Sequence, residues 1–266
     1  MRAAARIVAE ADGRGGTRLS VLRGESPLLL RRTGPAGGAA TVHLVGGAAG
    51  PLGGDDLRLD IEVRPGARLA VRTVAATLAL PGRPGTPPSV FDLRASVAAR
   101  AALHWLPEPL IAAAGCGHRA VTDVEVADGG TLLWRDDLAC GRHGEPAGDV
   151  HTDVTIRYAG ATLYRHQLAI GPGAPGWSGA AVLDAPGAPG GGHAVGSVVF
   201  AGPDRAAMDR AVSPVREAGP PHGRAAVMPL AGPGVLATAV GPDIRALRAA
   251  LDPWCAALLR DLEESG

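Results

Sequence analysis

The residues best suited to bind a metal ion lie in two short segments of the chain. In the first, Cys116 and His118 are two positions apart, so their side chains point to the same side if the segment is a strand. Gly115 and Gly117 flank the cysteine, which is equally typical of a turn. The spacing therefore permits a shared metal ion but favours a structural loop.

The second segment contains five residues of the types that bind nickel or zinc: His143, Glu145, Asp149, His151 and Asp153. Three of them alternate from Asp149 onward, so they would project from one face of a strand. Strands at a protein surface commonly carry such residues without any ligand, and we expect no high-affinity site here.

Adjacent carboxylates stand at Asp136 and Asp137, directly after Arg135. On a strand, neighbouring side chains point to opposite faces, so only one of the two can be buried or line a cavity. The plainer alternative is an ion pair of either carboxylate with Arg135 or Arg142. Two further carboxylates lie in turns: Asp55 follows a pair of glycines, and Glu108 is held extended between two prolines. No acid–base pair for catalysis can be assigned.

Several chemistries are excluded by what the chain lacks. Every one of its 26 lysine-plus-arginine positions is arginine, so no lysine is present for a P-loop or a Schiff base. Neither GxSxG nor HExxH occurs, and the glycine-rich loop Pro186–Gly192 is not followed by GK[ST]. A formal net charge of zero removes the simple electrostatic case for binding nucleic acid or an anionic membrane.

Regular alternation predicts that these residues are carried mainly by strands. Between Leu57 and Val63, apolar residues alternate with charged ones, which is the pattern of a strand with one buried face. Further strands are expected over 69–73, 91–97, 122–126, 132–138, 154–158 and 163–168. With 39 glycines and 23 prolines between them, this spacing is typical of a β-sandwich, a barrel or a β-solenoid.

The last third of the chain has a different pattern. A short helix is predicted over 203–217, followed by strands over 225–228 and 235–240. The terminal segment is an amphipathic helix, because apolar residues recur at steps of three and four: Ile244, Leu247, Leu251, Trp254, Leu258 and Leu262. Pro253 lies inside this pattern and is expected to kink or split the helix.

The chain has the features of a cytoplasmic protein. Its three cysteines include no CxxC pair, which argues against a disulfide framework. The first ten residues lack an apolar leader, and no uninterrupted apolar stretch reaches the roughly 18–20 residues of a membrane span.

Three segments, taken in order, resemble the UreD/UreH family of urease accessory proteins. They are Gly53–Thr73, Ala102–Val126 and Leu132–Arg142, and the similarity extends to the terminal helix that carries Trp254. The most specific is the middle segment, with its Trp-Leu-Pro-Glu-Pro turn. The resemblance implies a mostly β protein, a β-helix-like stack of short-stranded sheets with a few helices, one of them C-terminal. It also implies one domain over 1–266, with a β-rich body over about 1–202 and an α/β part over about 203–266.

The resemblance further implies a non-enzymatic scaffold. It would assemble with UreF-type and UreG-type proteins on apo-urease and conduct nickel to the urease active site, with nickel in transit rather than as a tightly bound cofactor. Carboxylates that bind weakly would contact the ion, and the candidates are Asp55, Glu108, Asp136 and Asp137. Arg142 would order a carboxylate through a bidentate pair.

The terminal helix is the natural docking element for a partner, through Leu251, Trp254 and Leu258. The alternative is that this stripe packs on the chain's own sheet. Two other functions have different requirements. A β-solenoid enzyme acting on carbohydrate needs paired carboxylates and aromatic platforms, and aromatics are 3% of the chain. A stand-alone nickel-binding protein would need a tight His/Cys site.

Overall fold

The computed structural model describes residues 1–36, 39–177, 179, 193–203 and 225–264. Within these ranges the chain forms 17 strands and one helix. In chain order they are β1 (Arg2–Ala11), β2 (Thr17–Gly24), β3 (Leu28–Ala36), β4 (Ala39–Gly46), β5 (Asp56–Val63), β6 (Arg68–Thr73), β7 (Thr77–Ala79), β8 (Ser89–Val97), β9 (Ala102–Leu106), β10 (Leu110–Ala112), β11 (Gly117–Val126), β12 (Thr131–Ala139), β13 (Asp149–Tyr158), β14 (Ala161–Ile170), β15 (Ala194–Ala201), β16 (Ala225–Pro229), β17 (Gly234–Gly241) and α1 (Ile244–Glu264).

Two sheets face each other and are connected as a β-solenoid. Sheet A has the order β14-β13-β11-β8-β5-β1-β2, and sheet B has the order β16-β17-β15-β12-β9-β6-β4-β3, with β7 and β10 beside it. The chain passes between the sheets in about four turns, β4 to β5, β6 to β8, β9 to β11 and β12 to β13. Successive turns therefore pair in parallel, while the strands at the ends of each sheet pair antiparallel. The predicted solenoid is confirmed.

Alternating apolar side chains from both sheets fill the space between them. The register places Leu59 beside Leu93 and Ile61 beside Ala95, so apolar rows continue from one turn to the next. All four are at most 6% exposed and belong to one large core. The period-two pattern that predicted these strands has its cause here, because each strand buries one face against the opposite sheet.

The terminal helix packs on the outer face of sheet B. Its stripe is buried against Val198, Phe200 and Ala237 of the sheet, with Leu247 and Leu251 at most 1% exposed. The helix continues through Pro253 without being split, although a split was one of the two predicted outcomes. Apolar contacts on both sides of the exposed proline hold the two halves on the same sheet, which offsets the missing backbone hydrogen bond.

The structure describes only part of the remaining segments predicted toward the C-terminus. The strands predicted over 225–228 and 235–240 are confirmed as β16 and β17. The glycine-rich loop Pro186–Gly192 lies outside the described residues, as does the predicted helix beyond residue 203. Among the residues that the structure describes, no helix combines the length and apolar character needed to cross a membrane.

Candidate functional site

The interior changes from apolar to polar at one position of β12. Leu132 and Trp134 belong to the large core, and Leu138 belongs to a smaller core near the other end of the strand. Asp136 lies on the same face of the strand as these residues, so its carboxylate enters the space between the two apolar clusters. Asp137 points to the opposite face. The structure thus decides which of the two adjacent carboxylates is interior.

Side chains from both sheets surround Asp136. Trp134 Nε1 donates a hydrogen bond to Asp136 Oδ2 at 2.6 Å, and the Trp134 ring stacks on Trp105 with ring centroids 5.2 Å apart. Ser197 lies opposite Asp136 in the β12–β15 register, and Tyr164 of β14 interacts with both. We name these five residues the interior acid cluster.

The surroundings of Asp136 in this cluster change the pKa of its carboxyl. Burial raises the pKa of Asp136 to about 7, although the Trp134 hydrogen bond favours the charged form. The Trp105 indole N–H also favours the charge, without the geometry of a hydrogen bond. No arginine or histidine of the described ranges pairs with Asp136. Asp136 is half-buried, and a desolvated carboxyl without a cationic partner either keeps a proton near neutral pH or accepts a cation in its place.

Polar groups continue from Asp136 toward the edge of sheet A. Tyr164 stacks on His166 with ring centroids 6.0 Å apart, and β14 is the edge strand of its sheet. Burial raises the pKa of Tyr164 to about 12; its neighbour Ser197 opposes this shift and the Asp136 charge reinforces it. Burial also lowers the pKa of His166, which favours the neutral imidazole. The neutral imidazole of His166 has a lone pair that can bind a cation, so this edge of sheet A offers a weak ligand.

The cluster is suited to transient contact with a divalent cation. Its oxygen donors are one carboxylate, one phenol and one hydroxyl, which bind nickel less tightly than thiolate or several imidazoles would. In the described part of the chain, no three His, Cys, Asp or Glu side chains are grouped so that they could hold a metal ion.

Asp137 has a different environment under the terminal helix. Arg135 Nε donates to Asp137 Oδ2 at 2.9 Å, and Arg135 Nη1 donates to Asp252 of α1 at 2.6 Å. Burial raises the pKa of Asp137, and the guanidinium opposes that shift. The predicted pairing of one adjacent carboxylate with Arg135 is confirmed, and it ties sheet B to the helix.

The four carboxylates proposed for nickel do not come together. Asp55 accepts from the Met1 amino group at 2.7 Å and from the Leu52 backbone N–H at 2.9 Å. Glu108 is 40% exposed and accepts from Arg248 of α1 at 2.6 Å. They lie in other turns of the solenoid than Asp136. Of the four, Asp136 is the one that faces the interior with no cationic partner among the described residues.

Among the remaining metal-ligating candidates, Cys116, His118 and Glu145 are engaged locally. Cys116 is buried in the smaller apolar core, and His118 Nδ1 lies 2.9 Å from Ser89 Oγ in the interior. Arg142 makes two hydrogen bonds to Glu145 on the surface, with Nε 2.7 Å from the carboxylate. This is the bidentate geometry expected of Arg142.

The stripe of α1 is used within the chain. Leu251, Trp254 and Leu258 are at most 6% exposed and pack on sheet B. Packing on the chain's own sheet, the alternative left open by the sequence, is therefore how these side chains are placed. The exposed side of α1 carries Arg245 and Ala249 instead.

Sequence reasoning missed the partners of Asp136. Trp105, Tyr164 and Ser197 come from three other strands, and only the fold brings them together. A signal was present in β14, where Tyr164 and His166 are two residues apart and therefore share one face of the strand, but it did not point to Asp136.

Comparisons with known proteins agree on one family. A family model described as UreD urease accessory protein matches residues 1–265. Urease accessory protein UreD 3 of Streptomyces griseus subsp. griseus is 47% identical over 266 residues, which is 99% of each chain. Urease accessory protein UreD of Parafrankia sp. is 42% identical over 99% of this chain and 91% of its own. The UreD protein of Streptomyces coelicolor is 44% identical over 97% of each chain.

Proposed function

Since the chain belongs to the UreD family of urease accessory proteins, we propose that it is a scaffold that passes nickel through its interior to apo-urease. Members of this family take part in urease maturation and are non-catalytic. This membership contradicts the carbohydrate-active alternative. The scaffold would assemble with UreF-type and UreG-type proteins in the cytoplasm, as a single domain that includes the α/β part after about residue 203.

One observation carries the nickel route: Asp136 lies between the two sheets, and no cationic side chain in the described part of the chain pairs with it. Burial brings the pKa of its carboxyl to about 7, so a divalent cation competes with a single proton for the site near neutral pH. Because the other donors nearby are weak oxygen ligands, the ion leaves again. In this proposal Asp136 is the transit residue, and Asp137 positions the strand through Arg135.

Asp55 and Glu108 have lesser roles in the proposal. Glu108 is exposed and fixed to Arg248, so it would meet nickel only near the surface. Asp55 is largely enclosed by its bonds to Met1 and Leu52, which favours a structural role.

In this proposal α1 still docks the partner, but through its exposed side and not through its buried stripe. Leu251, Trp254 and Leu258 would act by holding the helix on sheet B, while its exposed side meets the partner. The matched test uses Arg245→Glu/Ala249→Asp on the exposed side of α1, with Arg119→Glu on sheet A as control. Loss of the UreF-type partner with the double variant alone supports docking at α1, and normal assembly of that variant contradicts it.

The function as a whole is tested by co-expressing the tagged chain with the UreF-type and UreG-type proteins and urease of one organism. We expect a stoichiometric complex by size-exclusion chromatography and active urease. An Asp136→Asn chain should assemble normally and yield much less active urease. A wild-type chain that stays alone and leaves urease activity unchanged would contradict the scaffold.

A further inference from the structure

The arginines on the outer faces of the two sheets differ in their carboxylate partners. On sheet A, arginines pair with carboxylates of the same face: Arg58 with Asp60 at 2.8 Å and Arg94 with Asp92 at 2.9 Å. Arg157 likewise contacts Asp123 at 2.7 Å. Much of the charge of this face is therefore neutralised within the chain.

The part of sheet B that α1 does not cover carries four basic residues: Arg31, His43, Arg68 and Arg72, here called the basic face. The register puts Arg31 beside His43 and His43 beside Arg72, so they form one row across β3, β4 and β6. Arg68 stands four residues before Arg72 on the same face of β6. Arg31 and Arg72 are exposed, and His43 and Arg68 are half-buried.

No carboxylate of the described ranges pairs with the three arginines of the basic face. His43 Nδ1 lies 3.1 Å from the Thr33 hydroxyl, and Arg31 donates to the backbone oxygen of Leu30. Glu108, which follows β9 in the same sheet, is engaged by Arg248 of α1. Among the described side chains, the positive charge of the basic face is therefore unmatched.

The positive charge of the basic face affects the pKa of a neighbouring histidine. His104 of β9 lies beside Ala70 of β6 on the same outer face. Burial is the largest cause that lowers the pKa of His104 to about 4, and the positive charges of Arg72 and Arg68 contribute to the same shift. The two guanidiniums thus impose a positive potential, and no acid that the structure describes on this face pairs with them.

We propose that the basic face is a docking surface for a protein partner that presents an acidic surface. The size of the basic face excludes a single small anion. Arg31 and Arg72 are two strand spacings apart, about 10 Å, and Arg68 lies about 13 Å from Arg72 along β6. A partner must supply several carboxylates over that area. The zero net charge of the chain argues against nucleic acid, which needs a wider basic field.

The experiment measures binding of a fluorescein-labelled octaglutamate peptide to the full chain by fluorescence anisotropy at low ionic strength. Wild-type protein should bind it, and added salt should weaken the binding. Arg31→Glu/Arg72→Glu should bind about tenfold more weakly or worse. The matched control, Arg119→Glu/Arg165→Glu, makes the same change in net charge on exposed positions of sheet A and should bind within about twofold of wild type.

Four results would overturn the proposal. They are no binding of octaglutamate by wild type, equal binding of octaglutamine, an equal loss in the control, and tighter binding of single-stranded RNA through the same arginines. The last result would make the face a nucleic-acid site. If thermal unfolding shows that the double reversal does not fold, Arg31→Gln/Arg72→Gln replaces it, with an expected loss of about threefold.

Discussion

The protonation of Asp136 makes a prediction about the stability of the whole fold. The perturbation is Asp136→Asn, which keeps the shape of the side chain and an oxygen that accepts the Trp134 hydrogen bond. Because burial raises the pKa of this carboxyl in the folded state, the folded protein binds the proton more tightly than the unfolded chain does. The free energy of unfolding of wild type should therefore fall as the pH rises between the two pKa values.

The magnitude follows from the size of that shift. The pKa moves from an ordinary value of 3.8 to about 7. A shift of roughly three units corresponds to about 4 kcal/mol at 1.36 kcal/mol per unit. This destabilisation is fully developed above about pH 7 and absent below about pH 4. Asparagine does not ionise, so the variant lacks it.

The assay is chemical denaturation of wild type and Asp136→Asn in parallel from pH 4.5 to about 8. We expect the variant to be more stable than wild type by up to about 4 kcal/mol at the upper end, with the difference shrinking toward the acid end. Asp123→Asn is the matched control, because Asp123 is an exposed carboxylate paired with Arg157 on sheet A. Its difference from wild type should stay within about 1 kcal/mol and should not grow with pH.

A difference that does not change with pH would refute this reasoning. A variant that becomes less stable than wild type at pH 8 would refute it more strongly, because it would mean that the charged carboxylate stabilises the interior. Either result would also remove the physical basis for a cation competing with a proton at Asp136.

Three further predictions concern the packing around the site. Asp137→Ala removes the buried partner of Arg135 and should lower the free energy of unfolding by about 2–4 kcal/mol in urea denaturation, softened by the remaining bond to Asp252. An effect below about 0.5 kcal/mol would show that the pair is not buried. Gly196→Ala should lower the free energy of unfolding by about 1–3 kcal/mol in the same assay. The added Cβ would stand 2.5 Å from Asp137 Oδ1 and 3.0 Å from a Leu247 methyl carbon. Unchanged stability would mean that α1 sits farther from the sheet. Glu108→Gln breaks an exposed ion pair and should change the melting temperature little, corresponding to at most about 1 kcal/mol, and a larger loss would place Glu108 in the structural core.

Local patterns in the sequence were enough to predict much of the fold. Strand β5 shows why: every second residue from Leu57 to Val63 is apolar, because that face meets the opposite sheet. The stripe of α1 was equally readable, since Leu247, Leu251 and Leu258 recur with the helical period. What the pattern could not give was the sheet against which each apolar face packs.

The site was only half visible in the sequence, for reasons of register. Asp136 and Asp137 are chemically identical neighbours, and which one faces inward depends on how β12 aligns with β9 and β15. In a solenoid, residues from neighbouring turns meet only if they share a row, along which adjacent strands are about 4.8 Å apart. Asp55 and Glu108 do not share the row of Asp136, so a set of carboxylates chosen by type alone mixes separate places in the fold.

The measurement that tests the central claim most directly is the nickel content of urease matured with wild-type, Asp136→Asn or Asp123→Asn chains in otherwise identical cells. Each chain must first be shown to co-purify with its partners in equal amount. Our account predicts nickel-poor urease with Asp136→Asn alone. Urease loaded with nickel as fully by Asp136→Asn as by wild type would contradict a route past Asp136, even if the chain still serves as a scaffold.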